Sequence, residues 1–480
     1  MKILTKIKSL PIGVKATATF FLANVISSGI MYIATPIFTR LLTPEEYGSA
    51  SVFMTWQQVL GILAMFCLSY GVFNNGMVDY PQKRSEYSAS MLGLSSVITL
   101  CVAAALCVVF AIFGNILQLK PVYILAMFAV FLTQPAYNFW MARNRYEYKY
   151  KNVFTCSIFV ALLPPLFAII SIISFPSRGL DARILGAEIT YVVIYLLFYL
   201  DLLRKEKFKI KTTYWKEAFK FNLPLIPHYL SFYLLTSSDK VMISRLVGDA
   251  SVAYYSISHA IATVLSMVWN AINSALIPYT YENCKTRNYK AISIVTTPIL
   301  LGFGGICVIF ILLAPEIISI MGTADYMEAV FAVPPIVGGA FFQATYYIFA
   351  NILYFYKKPK YVMFSSSTSA IFNILLNFIF IRKFGYIAAG YTSMFCFLLQ
   401  AIIDFWAMKK VVGEFVYNLK FLSSISLSVI FIAVFSNYLY FSKFLRYATL
   451  LAIIILLICF SKKILSTLAS IRSRNSNEGD

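Results

Sequence analysis

Apolar residues run along the chain in about fourteen blocks separated by short polar or basic intervals. They lie near 16–38, 48–70, 89–113, 121–142, 152–175, 182–203, 221–245, 252–275, 291–313, 328–354, 361–381, 386–408, 420–440 and 444–461. A helix of about 20 residues crosses ~30 Å of hydrocarbon. The blocks are too long and too little alternating for barrel strands of about 9–11 residues. A helix satisfies its own backbone groups in lipid, so the pattern predicts an all-α integral membrane protein. Ahead of the first block, Ile3, Leu4, Ile7 and Leu10 fall on one helical face, with Lys2, Lys6 and Lys8 elsewhere. That predicts a short helix lying on the membrane surface. The apolar run that follows is span-length and lacks a small-residue cleavage site, which argues against a signal peptide.

Composition sharpens this picture. Hydrophobic residues make up 60% of the 480 and charged residues only 12%, against ~45–50% apolar in a soluble domain. Mean hydropathy is +0.76. The net charge of +20 suggests nucleic acid until its placement is considered. With the N-terminus inside, Lys and Arg fall about three to one on the inner side, the positive-inside pattern. The basicity is therefore topological, nucleic acid is set aside, and both termini are expected in the cytoplasm. Cys67, Cys101, Cys107, Cys156, Cys284, Cys307, Cys396 and Cys459 fall mostly inside the blocks without a C-x-x-C pattern. They read as packing residues, and no cofactor or metal site is expected.

The basic stretch 204–220, RKEKFKIKTTYWKEAFK, sits near the middle as a natural linker. Arg40-Leu41-Leu42 followed by Gly48-Ser49-Ala50-Ser51 matches Arg245-Leu246-Val247 followed by Ala253-Tyr254-Tyr255-Ser256 at an offset of 205. Asp201 with Lys205 corresponds to Asp404 with Lys409 near an offset of 203. A repeat of six helices follows, with an even number of spans and hence parallel halves. The expected layout is an N-terminal lobe 1–203, a cytoplasmic linker 204–220, a C-terminal lobe 221–410, and two extra helices with a polar tail over 411–480. Two such lobes form a transporter design with rocking access to a cavity between them, an analogy at the level of architecture.

Polar positions inside the blocks are the candidate chemistry. In the eighth block Ser256, His259, Thr263, Ser266, Asn270 and Asn273 are spaced to share one helical face over about five turns. The seventh carries Tyr229, Tyr233, Thr236, Lys240 and Ser244; the tenth Gln343, Tyr347, Asn351 and Tyr354; the eleventh Ser366, Ser369, Asn373 and Asn377; the first Thr17, Asn24, Ser28 and Thr35. For any one residue, hydrogen-bonding glue between helices explains as much as a substrate path does. The stripe of the eighth block is polar from end to end and is expected to face water.

Embedded ionisable groups are few. Lys240 either snorkels to the nearby interface or points a cation into a cavity. Asp239 diverges from it by about 100° and either pairs with a neighbouring helix or serves ion coupling. His259 stands in the polar stripe as a proton carrier, an anion contact or a structural residue. Glu188 and Asp404 are further candidates for ion coupling. No Ser/His/Asp set, phosphate loop or metal-spaced cluster occurs in the sequence.

FTRLLTPEEYGSASVF, SDKVMISRLVGDASVAYYSIS, FNNGMVDYPQKRSEYSASMLGLS and ARNRYEYKYKNVF resemble segments of the oligosaccharide flippase, or polysaccharide exporter, family of Wzx type. The resemblance covers the first twelve helices. It implies a MATE-like fold in a bacterial plasma membrane, and movement of a polyprenyl-pyrophosphate-linked sugar from inner to outer leaflet. Proteins of polysaccharide assembly are the partners it implies, besides membrane lipids. Some members line the cavity with several Arg; here the spans offer little beyond Lys240, so the phosphate contact falls on Lys240 or on Arg143 and Arg145 at the end of the fourth block.

Sugar hydroxyls left unsatisfied in hydrocarbon are costly, and neutral donor and acceptor stripes answer that need. Proton or sodium coupling is expected as the energy source. A drug or metabolite antiporter of the same fold is the alternative, although cation exporters favour buried acids. A membrane polymerase is a further alternative, weakened because the outer loop near 314–327 holds only Glu316 and Asp325 as acids.

Overall fold

A computed structural model describes residues 12–456 and 458, apart from 70 and 207–210. The expected surface helix over the first ten residues and the polar tail, with Cys459, lie outside the described residues. Every regular element among the described residues is helical. The order is α1 (Ile12–Leu41), α2 (Pro44–Ala64), α3 (Gly71–Asp79), α4 (Arg84–Phe113), α5 (Pro121–Tyr146), α6 (Tyr150–Ser174), α7 (Gly179–Glu206), α8 (Thr212–Asn222) and α9 (Ile226–Leu246). It continues with α10 (Asp249–Lys285), α11 (Tyr289–Leu312), α12 (Ala314–Met321), α13 (Val333–Phe355), α14 (Pro359–Phe384), α15 (Ile387–Val412) and α16 (Leu419–Leu439). A further helical stretch covers 443–456.

Local chemistry sets the helix ends. At α2, Thr43 accepts from the Glu46 amide while the Glu46 side chain accepts from the Thr43 amide, and Pro44 occupies the first turn. This capping box satisfies two end donors that lipid would leave bare. At its far end α15 stops on Gly413 in the left-handed region at φ 90°, where a side chain would clash.

Among the described residues, eleven helices are long and apolar enough to cross a membrane, against fourteen blocks in the whole sequence. The α2 helix falls short because it opens on Glu45 and Glu46 and carries Gln57 and Gln58; α9 falls short because it carries Ser, Thr, Asp239 and Lys240. The stretch 443–456 runs into residues outside the description. Large apolar side chains such as Leu100, Val108, Ile112, Leu125, Leu197, Phe364, Ile371 and Leu375 are exposed, as a lipid-facing surface requires.

The chain divides into two compact units, 1–234 and 235–480. The division falls inside α9 and not in the basic stretch 204–220. The reason lies in α8, whose Tyr214 and Ala218 are buried against Phe73, Met77, Tyr87, Met91 and Phe139, so that helix packs as part of the first unit. In that unit α1 packs on α6, and α7 packs on both α5 and α6. In the second unit α13 is the central helix, packed against α10, α15 and α16, with its side chains from Val333 to Leu353 nearly all buried. The α14 helix packs on α15.

Candidate functional site

In the second unit, α9 presents Asp239 and Lys240 side by side to different surroundings. Asp239 is 2% exposed. Its Oδ1 accepts from Asn377 Nδ2 on α14 at 2.6 Å, and its Oδ2 accepts from Ser393 Oγ on α15 at 2.6 Å and from the Tyr255 hydroxyl on α10. Behind this first ring, Asn377 Nδ2 also donates to Asn373 Oδ1 at 3.1 Å, and Asn373 Nδ2 donates to Ser393 Oγ at 3.0 Å. The Thr392 hydroxyl donates to Asn377 Oδ1. Four helices thus converge on one carboxylate, and its ring of donors is neutral. A buried carboxylate surrounded by donors is solvated by protein in place of water.

Lys240 is half-buried and takes no hydrogen bond in that knot. Asp239 and His259 are the groups within its electrostatic reach, and it forms no ion pair with a described residue. His259 lies on α10, where Thr263 hydrogen-bonds to it at 3.4 Å.

The α10 stripe differs along its length. Thr263 and Asn270 are exposed, His259 and Ser266 are half-buried, and Ser256 and Asn273 are buried. Ser266 donates to Gln343 Oε1 on α13 at 3.1 Å, and Asn351 Nδ2 on α13 donates to Asn273 Oδ1 at 2.7 Å. Tyr347 is half-buried with its ring stacked on Tyr346 at 4.5 Å. The Ser256 hydroxyl is buried without a partner among the described residues. The structure therefore brings Lys240, His259, Thr263, Ser266, Gln343, Tyr347 and Asn270 into one band of α9, α10 and α13 that is only partly covered within its own unit. Ser256, Asn273 and Asn351 close its two ends. On α9, Thr236 is half-buried beside Ser237.

The other candidates lie apart from this band. Tyr229 and Tyr233 are half-buried on the portion of α9 that belongs to the first unit, and Asn24 is exposed on α1. Arg143, at the end of α5, donates from Nε to Glu147 Oε1 at 2.7 Å, and Lys149 meets Glu147 Oε2 at 2.5 Å. Partial burial pushes the Glu147 carboxyl up, but hydrogen bonds from Lys149 and Arg143 outweigh it and hold the group below the usual carboxylate range. These residues line a cavity of about 510 Å³ floored by Phe139, Trp140 and Phe198, with Lys205 and Asp201 at its side. Arg145 is exposed, its guanidinium 5.8 Å from the Phe20 ring centre.

Glu188 on α7 is buried and accepts from Gln57 Nε2 on α2 at 2.8 Å. Arg183, five residues before it and also buried, holds its guanidinium 3.7 Å over the Phe38 ring. Asp404 on α15 is buried and accepts from Ser365 Oγ at 2.7 Å.

Tyr255, Thr392 and Ser393 escaped the sequence reading. Tyr255 lies on the same face as His259, one turn before it, but reads there as an aromatic packing residue, and the two adjacent hydroxyls on α15 form no polar stripe. Their partners are 15 to 154 residues away, a distance no local period reports. The shared face of Asn373 and Asn377 was the one available signal.

Three comparisons bear on the chain as a whole. The family model described as polysaccharide biosynthesis protein matches residues 14–283, and the MatE model matches 224–379. A Haemophilus influenzae protein named Lsg locus putative protein 1 is 23% identical over 291 residues, covering 57% of this chain and 67% of the relative. An uncharacterized membrane protein of Methanocaldococcus jannaschii is 23% identical over 258 residues, 51% of this chain and 48% of its own length. Among solved structures, the lipid II flippase MurJ in an inward closed conformation superposes with a TM-score of 0.70 at 15% identity, covering 94% of this chain and 99% of MurJ. An inward-facing multidrug resistance MATE transporter gives 0.61 at 13% identity, covering 80% and 94%. The chain belongs to the polysaccharide biosynthesis protein family and has the MATE-like fold of multi-pass membrane transporters.

Proposed function

We propose that the protein moves a polyprenyl-pyrophosphate-linked oligosaccharide from the inner to the outer leaflet of a bacterial plasma membrane by alternating access, with both termini in the cytoplasm. The observation that carries this reading is the band of Lys240, His259, Thr263, Ser266, Gln343, Tyr347 and Asn270. It places a cation without an ion-pair partner among the described residues beside neutral donors, acceptors and an aromatic face. A sugar needs many interchangeable hydrogen bonds, which neutral side chains give without a fixed geometry, and aromatic faces suit its ring faces. A pyrophosphate needs a cation that no protein carboxylate already holds. Lys240 meets that condition better than Arg143, which is engaged with Glu147.

Asp239 supports coupling to a proton or sodium gradient. Its neutral cage lacks a balancing cation at hydrogen-bonding distance, so a proton or sodium ion is the missing partner. Family membership agrees with a role in surface polysaccharide assembly.

The test uses proteoliposomes with labelled polyprenyl-pyrophosphate oligosaccharide placed in one leaflet. Protein-dependent appearance of label in the other leaflet is expected, and Lys240→Ala is expected to slow it about tenfold, ~1.4 kcal/mol. The MatE match favours one second reading, a small-molecule antiporter. Absence of lipid movement, together with gradient-driven uptake of organic cations, selects that reading.

A further inference from the structure

The seam between α14 and α15 is polar well beyond the Asp239 knot. Ser365 bonds to Asp404, Asn373 to Ser393, and Thr392 to Asn377. Numbers rise on one helix as they fall on the other, so the two run antiparallel. Ser369, one turn beyond Ser365, stands level with Gln400, one turn before Asp404. All four side chains are enclosed: Ser365, Ser369 and Asp404 are 0% exposed and Gln400 is 3%.

Three oxygens in this one layer have no hydrogen-bond partner among the described residues: Asp404 Oδ2, Gln400 Oε1 and Ser369 Oγ. Asp239 at the other end of the seam has both of its oxygens occupied by donors. Tyr346 and Tyr354 on α13 are within electrostatic reach of Asp404, and the neutral Ser365 on α14 donates to it. No cation faces it from the described residues of these helices. Lys409 on its own helix lies over the rings of Trp406 and Phe415.

An ionised Asp404 here is a buried charge with one neutral donor, an arrangement that interiors strongly disfavour. Gln400 Oε1 and Asp404 Oδ2 are both acceptors, four residues apart on one helix face. A single hydrogen ion resolves both deficits. Placed on Oδ2, it neutralises the carboxyl and supplies the donor that Gln400 Oε1 lacks.

We propose that Asp404 and Gln400 form a proton-binding site, separate from Asp239, that is loaded while the α14–α15 seam is closed. When water enters the seam, the Asp404 O–H bond breaks, the proton passes to water and the solvated carboxylate remains. The site has no need of the cargo assigned above, so it stands or falls apart from the flippase reading.

The test is infrared spectroscopy of the full chain in lipid nanodiscs at neutral pH. A carbonyl stretch of a protonated carboxyl is expected in the unaltered protein, retained in Asp239→Asn and lost in Asp404→Asn. Gln400→Leu removes the acceptor and is expected to keep the band but move it to higher frequency, as for a carboxyl freed of its hydrogen bond. That variant also serves if Asp404→Asn does not fold. A spectrum in which neither variant alters a protonated-carboxyl band overturns the proposal. A band abolished by sodium ions at constant pH also overturns it, assigning the site to that cation.

Discussion

Asp239 gives both carboxylate oxygens to Asn377, Ser393 and Tyr255, while Lys240 beside it bonds to none of them. Removing the carboxylate strands three buried donors at once, each costing about 1–3 kcal/mol when unpaired. Asp239→Ala is therefore expected to lower stability by about 3 kcal/mol or more. Asp239→Asn keeps one acceptor oxygen, and the hydroxyls of Ser393 and Tyr255 can rotate to accept from its amide, so a loss of about 1 kcal/mol is expected. Thermal unfolding in detergent should rank the unaltered protein above Asp239→Asn and Asp239→Ala last. Equal midpoints for all three would mean that the carboxylate is not part of the knot.

A smaller effect is expected at Glu147, whose folded-state pKa is depressed. Its contribution is present above the unfolded carboxyl value of about 4.3 and is lost as pH falls through the lower folded value. Both partners are partly exposed, at 32% and 54%, so the loss should stay under about 1 kcal/mol. Expressed as a ratio to an unstructured peptide thiol at each pH, which removes the thiolate's own titration, the reactivity of a Tyr148→Cys reporter should rise on acidification, and adding Glu147→Gln should make that ratio high and flat with pH.

Helix pairs in this chain meet through small residues at a few points. A Cβ built on Gly186 of α7 falls 2.9 Å from Ala168 Cα and 2.9 Å from Ser171 Oγ on α6. The first of these is backbone and cannot swing aside, so Gly186→Ala must part the two helices, at about 1–3 kcal/mol. Gly302 in α11 has nothing among the described residues within 4 Å of its built Cβ. Gly302→Ala should be neutral or stabilising by up to about 1 kcal/mol through helix propensity. Opposite shifts of the unfolding midpoint are expected; a neutral Gly186→Ala would show that α6 and α7 do not approach so closely.

The same scale shows how far sequence reading reaches. Spacing placed Ser256 to Asn273 on one face, a property of the helix alone. Burial of Ser256 and Asn273 at its ends, with Thr263 and Asn270 exposed between, depends on where other helices cross α10, and no period encodes that. The block 48–70 read as an ordinary span because it starts past Glu45 and Glu46 and carries no charge, and 221–245 because its apolar residues outweigh Asp239 and Lys240. Asp239 and Lys240 were separable in direction by the turn angle, but which of them meets Asn377 and Ser393 is decided by α14 and α15, far along the chain.

For the molecule as a whole, the charge pattern makes a claim that the helical architecture by itself does not: which side of the membrane each connection faces. Lys and Arg concentrate in alternate connections, and the cost of carrying such charges across hydrocarbon selects the orientation that keeps them inside. The turn after α5, with Arg143, Arg145 and Lys149, and the turn between α13 and α14, with Lys357 and Lys358, should then lie on the cytoplasmic side. The turn after α4, with Gly114 and Asn115, and the turn at Gly385 after α14 should lie outside. Single cysteines at Asn115, Lys149, Lys358 and Gly385, on a background without native cysteine, make the pattern measurable with a membrane-impermeant thiol reagent applied to whole cells. Labelling is expected at positions 115 and 385, with 149 and 358 reacting only after the membrane is opened. The reverse pattern would leave the fold intact but turn the proposed direction of transport around. Labelling of 115 and 149 from the same side would remove α5 as a span and with it the count of crossings on which both termini were placed in the cytoplasm.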